Sequence, residues 1–458
     1  MKELEVTSPA EANARDGPRS RAEFVLLGVP DVNGSIRGKA LRPEAFESAL
    51  RHGTVMTDLI LGLDPVDTPI ADFDRFGIRT GAADLIVRPD PDTLHEMPWR
   101  PGWRVCLATP SWPDGTQAFS SREVFRSVLG DLADLGYEVM SAVEYEIRVW
   151  DEHDAPLSSG ISYSLNEIGR FDRFLDELVR ALDGLGVALS AAHTEAGPGL
   201  LELNLGHRRG LAAADDATLV KFAAKQVAAT LGLRASFLAK TNPGEEGSSG
   251  HVHMSLWRGE HNAFAGQGSS GAGDGSAVPG GGAAPAIPPV FASAVAGVLE
   301  HLPGASLLLN PTINSYKRLI PGWFAPVNAT WGIENRSCAV RAIPGARPEL
   351  WRFECRRPGA DANPYLALAA IAASAADGVR REATPPEPIV GDAYARPDAP
   401  ELPGSLESAI RAFEEDRYLR AALGETFSDY YVTSRTWELK AWRETVTDWE
   451  RARYDRAV

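Results

Sequence analysis

The chain has 458 residues, 44% hydrophobic and 24% charged, a globular composition with length for two or more domains. Its 46 Lys and Arg against 62 Asp and Glu give a net charge of −16, which excludes a general polyanion binder, so neither nucleic acid nor an anionic membrane is an expected partner. Three scattered cysteines, Cys106, Cys338 and Cys355, offer no disulfide framework and no zinc spacing.

Residues 1–20 mix small and charged side chains and read as a disordered lead-in without the apolar core of a signal peptide. Phe24 to Leu27 reads as a strand, followed by a polar turn over 31–34. Further short strands are expected at 84–87 and 103–108, separated by Pro- and Asp-rich turns, which makes a small β-rich domain up to about residue 118. A helix is expected over 120–135, with Ser121 as its N-cap, then a strand over 137–150. Amphipathic helices are expected over 171–185 and 214–231. The stretch 265–289 is rich in Gly, Ala, Ser and Pro and reads as a flexible surface insertion. Residues 405–457 are helical by pattern. The longest apolar run, 365–376, is too short to span a bilayer, so a cytoplasmic protein is expected.

Four segments share one alternation. Glu144 and Glu146 lie on one face of a strand, with Val143, Tyr145 and Ile147 on the other. Glu202 and Asn204 alternate with Leu201, Leu203 and Leu205. His251, His253 and Ser255 alternate with Val252, Met254 and Leu256. Arg352, Glu354 and Arg356 alternate with Trp351, Phe353 and Cys355. A half-solvated sheet also alternates, but its wet face carries a mixture of Lys, Thr, Ser and Gln. These faces carry carboxylates, imidazoles and guanidiniums. Clustered carboxylates with an occasional His suit Mg²⁺ or Mn²⁺, and guanidiniums suit phosphate or carboxylate. Metals and Arg lining one cavity are the equipment of phosphoryl transfer. Two loops add to the set: the turn 193–199 brings Glu195 towards Glu202, and polar residues 310–318 precede Pro321-Gly322, a candidate hinge for a flap.

These segments, with Gly247–Ser255, Asn335–Arg341 and Asn363-Pro364-Tyr365, resemble in order and spacing the glutamine synthetase family of ATP-dependent carboxylate–amine ligases. The resemblance implies an α+β fold: a small N-terminal β-grasp domain over 21–118 and a catalytic domain over 119–458, built on a curved antiparallel sheet flanked by helices. It implies a homo-oligomeric ring, a dodecamer of two stacked hexamers, in which the small domain of one subunit closes the site of the next. Carried over, Glu146, Glu195 and Glu202 hold one metal, and Glu144, His251 and Glu354 hold the second. Arg318 and Arg356 bind the glutamate carboxylate side, and Gly247 belongs to the glutamate loop. Arg336, Arg341 and Arg352 contact phosphate, with His253 and Ser255 on the nucleotide side. Arg318, Arg336, Arg341 and Glu354 are the expected catalytic residues. The implied cofactors are ATP and two or more Mg²⁺ or Mn²⁺, and the implied intermediate is γ-glutamyl phosphate.

The departures bear on the amine. Ammonia-using members carry Glu six residues after the position of Arg318, and this chain has Phe324 there, beside Trp323. The family's small-domain Asp aligns with Asn33, with Asp31 nearby. Phe offers neither a negative charge nor a proton acceptor. The expected co-substrate is therefore an organic primary amine, ethanolamine-type first and a polyamine next. An ammonia-dependent synthetase, a non-catalytic homologue and a ligase for another carboxylate are the alternatives. Tyr394 sits near the position of the family's regulatory tyrosine and reads as an ordinary exposed loop residue.

Overall fold

The computed structural model describes residues 23–265 and 286–458. The expected lead-in over 1–20, and nearly all of the expected insertion over 265–289, lie outside the described residues.

The first sheet contains β1 (Phe24–Pro30), β2 (Ile36–Leu41), β3 (Thr54–Thr57), β4 (Asp84–Pro89), β5 (His95–Glu96) and β6 (Trp103–Ser111). Its order is β2-β1-β6-β4-β3, with β5 on β6. β1 runs parallel to β6 and antiparallel to β2. Val25, Leu27 and Val29 alternate into the core, which is why this short run folds as a strand. Helix α1 (Pro43–His52) starts on a proline and ends at Gly53, whose φ of 75° returns the chain into β3.

The second sheet holds β7 (Glu138–Trp150), β8 (Leu189–Thr194), β9 (Leu200–Leu205), β10 (Arg208–Arg209), β11 (Arg234–Ser236), β12 (Gly250–Arg258), β13 (His261–Asn262), β14 (Trp331–Ile333), β15 (Val340–Ile343) and β16 (Arg352–Cys355). Its main order is β14-β15-β16-β12-β7-β9-β8. The four alternating segments are therefore consecutive neighbours, β16-β12-β7-β9, all antiparallel.

The helices are α2 (Ser121–Asp134), α3 (Leu165–Ile168), α4 (Asp172–Gly184), α5 (Leu211–Thr230), α6 (Pro289–Leu309), α7 (Ser315–Arg318), α8 (Pro364–Arg380), α9 (Leu406–Glu415), α10 (Arg417–Ala422), α11 (Glu425–Glu444) and α12 (Asp448–Tyr454). Ser120, not Ser121, caps α2: its hydroxyl accepts the Glu123 N–H at 3.4 Å, and Ser121 is already helical. α5 is buried on nearly every side rather than amphipathic, because it lies between β7 and the helices α4 and α8. α6 is long and apolar enough by composition to cross a membrane, but most of it is buried inside the molecule. It meets α8 at Gly297 and Gly378. A Cβ on Gly297 would lie 2.1 Å from the Ser374 carbonyl oxygen, and one on Gly378 would lie 2.0 Å from that of Ser293. The three cysteines are buried and unpaired.

The two sheets are tied by polar contacts. Buried Arg122 on α2 donates to both oxygens of Asp215 on α5 and to Asp90 in the small sheet's loops, each at 2.8 Å. Tyr365 adds a 2.6 Å hydrogen bond to Asp215. Tyr430 of α11 stacks on Phe119 at 4.6 Å and donates to the Leu61 carbonyl.

Candidate active site

The polar faces of the four neighbouring strands form the floor of a cavity of about 690 Å³. The register sets their order. Glu146 stands opposite Glu202, and Glu144 lies between Asn204 and His251. Glu354 lies between His253 and Arg341. Opposite faces of the same strands bury Val143, Tyr145, Leu203, Met254 and Phe353, so packing fixes which side chains point into the cavity.

All six expected metal ligands line this cavity. The tightest groups of donor atoms are Glu144, His253 and Glu354, and His193, Glu195 and Glu202. Both groups add a histidine, His253 and His193, that the expected sets did not name as a ligand. His251 Nδ1 is 3.4 Å from Glu354, and Glu146 accepts the Ser249 N–H at 2.7 Å. His253 Nε2 is 2.9 Å from Glu144, and Arg352 donates to His253 Nδ1 at 3.1 Å.

The electrostatics divide the wall. Burial and the charges of Glu144 and Glu146 push the Glu202 carboxyl up to about 8. Burial and Glu146 also raise Glu195. Burial alone would raise Glu144, but His253, Asn204 and Arg356 outweigh it and hold that carboxyl at about 2. Glu354 is likewise held at about 2, where Arg356 and the two histidines outweigh its burial. Burial and the Arg356 charge keep His251 neutral, well below the usual imidazole range. Its Nε2 and His193 Nδ1 are buried without a hydrogen-bond partner among the described residues. A neutral His251 with an open nitrogen beside crowded carboxylates is what a divalent cation requires, so the residues fit such an ion.

The expected arginines converge as well. Arg318, Arg336, Arg341, Arg352 and Arg356 all line the cavity. Arg318 is buried and donates to the carbonyls of Arg356 and Arg357. Gly247 packs on it, and a Cβ there would lie 2.5 Å from Arg318 Cγ. Arg341 bridges Glu354 and Glu334.

Trp323 and Phe324 line the same cavity, and Gly322 before them has a φ of 83°. Arg357, wholly buried, pins the far end of this flap by donating to the Pro326 carbonyl at 2.7 Å. The Lys240 ammonium sits 4.2 Å from the centre of the Trp323 ring.

Two expected site residues lie elsewhere. The Ser255 hydroxyl is not in the cavity and accepts the Trp257 indole N–H at 2.9 Å. Asn33 sits in the β1–β2 turn, held by Arg435 and the Leu63 carbonyl, away from its own chain's cavity. Asp31 is buried, where it accepts the N–H groups of Asn33 and Ser35 and pairs with Arg37. Tyr394 is not an ordinary exposed residue: its hydroxyl is buried, and burial raises it to about 12.

The sequence reading gave no role to Tyr163 or Glu246, which line the cavity, or to His193, which lies 3.5 Å from Glu202. His193 was legible as a histidine two positions before Glu195. Tyr163 packs edge-on against His193 at 4.0 Å, and Glu246 precedes Gly247. Neither of these two lies on an alternating strand, so no periodicity marked them.

Comparison with known proteins agrees with this geometry. Residues 118–454 match the family model for the glutamine synthetase catalytic domain. The chain is 32% identical over 443 residues to a gamma-glutamylethanolamide synthetase of Streptomyces coelicolor, covering 93% of this chain and 91% of that one. It is 32% identical over 453 residues to a glutamate–isopropylamine ligase of a Pseudomonas species, covering 94% and 95%. A glutamine synthetase of Thermus thermophilus is 31% identical over 453 residues, again covering 94% and 95%. The solved structure of apo GmaS superposes with a TM-score of 0.81 at 28% identity, covering 95% and 97%. On the strength of that match and this site, the chain belongs to the glutamine synthetase family and is an ATP-dependent ligase.

Proposed function

We propose that this enzyme joins the γ-carboxylate of glutamate to an organic primary amine, an ethanolamine-type small amine first and a polyamine next. The observation that carries the reading is Phe324. It lines the cavity with 61% of its surface exposed, at the position where ammonia-using members hold a carboxylate. An aromatic face favours an alkyl stem and tolerates an ammonium, but it takes no proton from one.

In this reading Glu146, Glu195 and Glu202 hold one divalent cation, and Glu144, His251 and Glu354 hold another, with His193 and His253 beside them. The cations supply charge neutralisation for the phosphates of ATP. Arg318 and Arg356 orient glutamate so that its γ-carboxylate attacks the γ-phosphate. Arg336, Arg341 and Arg352 meet the charge that moves to the leaving group. The 320–326 loop covers the acyl phosphate and keeps water out until the amine arrives. A ring of subunits, each closing its neighbour's site, belongs to the same reading. Its support is that Asn33 lies outside its own chain's cavity.

The test is a steady-state phosphate-release assay with glutamate, ATP and Mg²⁺ against a panel of ethanolamine, alkylamines, polyamines and ammonia. Alkylamine turnover exceeding ammonia turnover is expected. Ammonia outperforming every organic amine would overturn the reading.

A further inference from the structure

We propose that Glu246 is the anionic partner of the incoming amine's ammonium group, and so a specificity-determining residue for the second half of the reaction. The proposal rests on the glutamate–amine reading above.

Glu245 and Glu246 are adjacent, and the fold treats them differently. Glu245 is engaged: its carboxylate pairs with Arg148 at 2.7 Å and accepts the Asn242 amide at 2.8 Å. Arg148 is fully buried, and its other nitrogen donates to the Glu246 backbone carbonyl at 2.7 Å. Ser248 closes the loop with an N–H to the Ala239 carbonyl at 2.8 Å. The backbone at Glu246 is therefore clamped from behind by a buried cation. The Glu246 side chain, by contrast, lines the active-site cavity. Among the described residues it has no hydrogen-bonding or ion-pairing partner. A carboxylate placed on a fixed backbone, at a cavity wall and without a direct partner among the described residues, has its charge available to a ligand.

Its position selects the ligand. Lys240 donates to the backbone carbonyl of Glu245, the residue before Glu246, and its ammonium also sits over the Trp323 ring. Glu246 therefore belongs to the Trp323 and Phe324 end of the cavity. Lys240 already demonstrates that an ammonium is accommodated against Trp323. Two aromatic rings remain open to a second one: Phe324 and Tyr163 are both largely exposed and line the cavity. A carboxylate with aromatic faces beside it is the chemistry that recognises R–NH₃⁺, with the head on the charge and the stem on the rings. Phe324 removes a negative charge from this end, and Glu246 supplies one from a different loop.

The experiment compares wild type, Glu246→Gln and Glu246→Asp as full-length enzyme. The probe is the best-used alkylamine of the panel, at saturating ATP and Mg²⁺. Glu246→Gln is expected to raise the amine KM roughly tenfold or more, the effect of losing a charged hydrogen bond. The KM values for glutamate and ATP should stay within about twofold, and Glu246→Asp should recover most of the loss. An unchanged amine KM in Glu246→Gln overturns the proposal, and so does a rise confined to the glutamate KM. A wild type that uses only ammonia overturns the underlying reading as well. A wild type that uses an alkylamine, with an indifferent Glu246→Gln, overturns this inference alone.

Discussion

Tyr163 and Phe324 line one cavity from separate loops, and both hold a left-handed backbone, with φ of 53° and 52°. Aromatic residues rarely adopt this conformation, at a cost of roughly 1–2 kcal/mol each, and such strain concentrates at functional sites. Phe324→Gly is therefore expected to leave the melting temperature unchanged or slightly raised while raising the amine KM severalfold. Phe324→Glu is expected to increase ammonia turnover. Thermal unfolding and the amine panel check both; a folded Phe324→Glu enzyme without any gain on ammonia contradicts the pocket argument.

The raised carboxyl of Glu202 predicts a pH-dependent need for metal. Its folded value, about 8, lies above the ordinary glutamate value of 4.5. Stability from the protonated form is full below pH 4.5 and is lost as pH climbs towards 8. The metal-free enzyme should thus weaken across that range. Mg²⁺ should raise the melting temperature more at pH 8 than at pH 6, and Glu202→Gln should flatten the metal-free pH profile. Equal metal shifts at both pH values would count against this.

A second titration lies far from the cavity. His301 on α6 bridges Asp377 of α8 and Asp416 before α10, at 2.9 Å on each ring nitrogen. Burial opposes the charged ring, but the two carboxylates outweigh it and raise the imidazole above 6.5. Its contribution is full below pH 6.5 and is lost as pH rises through the raised folded value. His301→Ala is expected to cost about 3–5 kcal/mol at pH 6, since it leaves two buried carboxylates facing one another. The loss should shrink at pH 9, as read by urea unfolding at the two pH values.

Arg122 predicts how the two sheets separate. It is the buried cation shared by Asp90 and Asp215. Arg122→Met should cost about 3–5 kcal/mol, because among the described residues Asp215 then keeps only the Tyr365 hydroxyl. Limited proteolysis should show cleavage near residues 111–120 sooner than in wild type. An unchanged digestion pattern would mean that the Tyr430–Phe119 contact suffices.

The floor of the candidate site was legible because its chemistry alternates along strands. Glu144, Glu202, His251 and Glu354 each sit opposite an apolar face, so a period of two announced them. That the four segments would be sheet neighbours was not written in any one of them; it follows from β12 lying between β7 and β16. Ser255 shares the polar face of His251 and His253, but two residues further on β12 the strand has already left the cavity and packs its hydroxyl on Trp257. The expected small-domain role assigns Asn33 to a neighbouring subunit's site rather than its own, and Asn33 lies on the β1–β2 turn, where no period checks a register. Tyr163 and Glu246 escaped for the same reason. Likewise α5 read as amphipathic because sequence alone does not reveal that helices pack on both its sides.

The division between strand and loop has an evolutionary consequence. Six of the carboxylate and imidazole positions, Glu144, Glu146, Glu202, His251, His253 and Glu354, stand on interior strands whose register the whole sheet enforces. Tyr163, Glu246, Trp323 and Phe324 all stand on loops. Substitutions that retune the choice of amine need not disturb the machinery that activates glutamate. On the reading proposed above, loop substitutions alone are expected to change the nucleophile, while the strand-borne half of the reaction stays as it is.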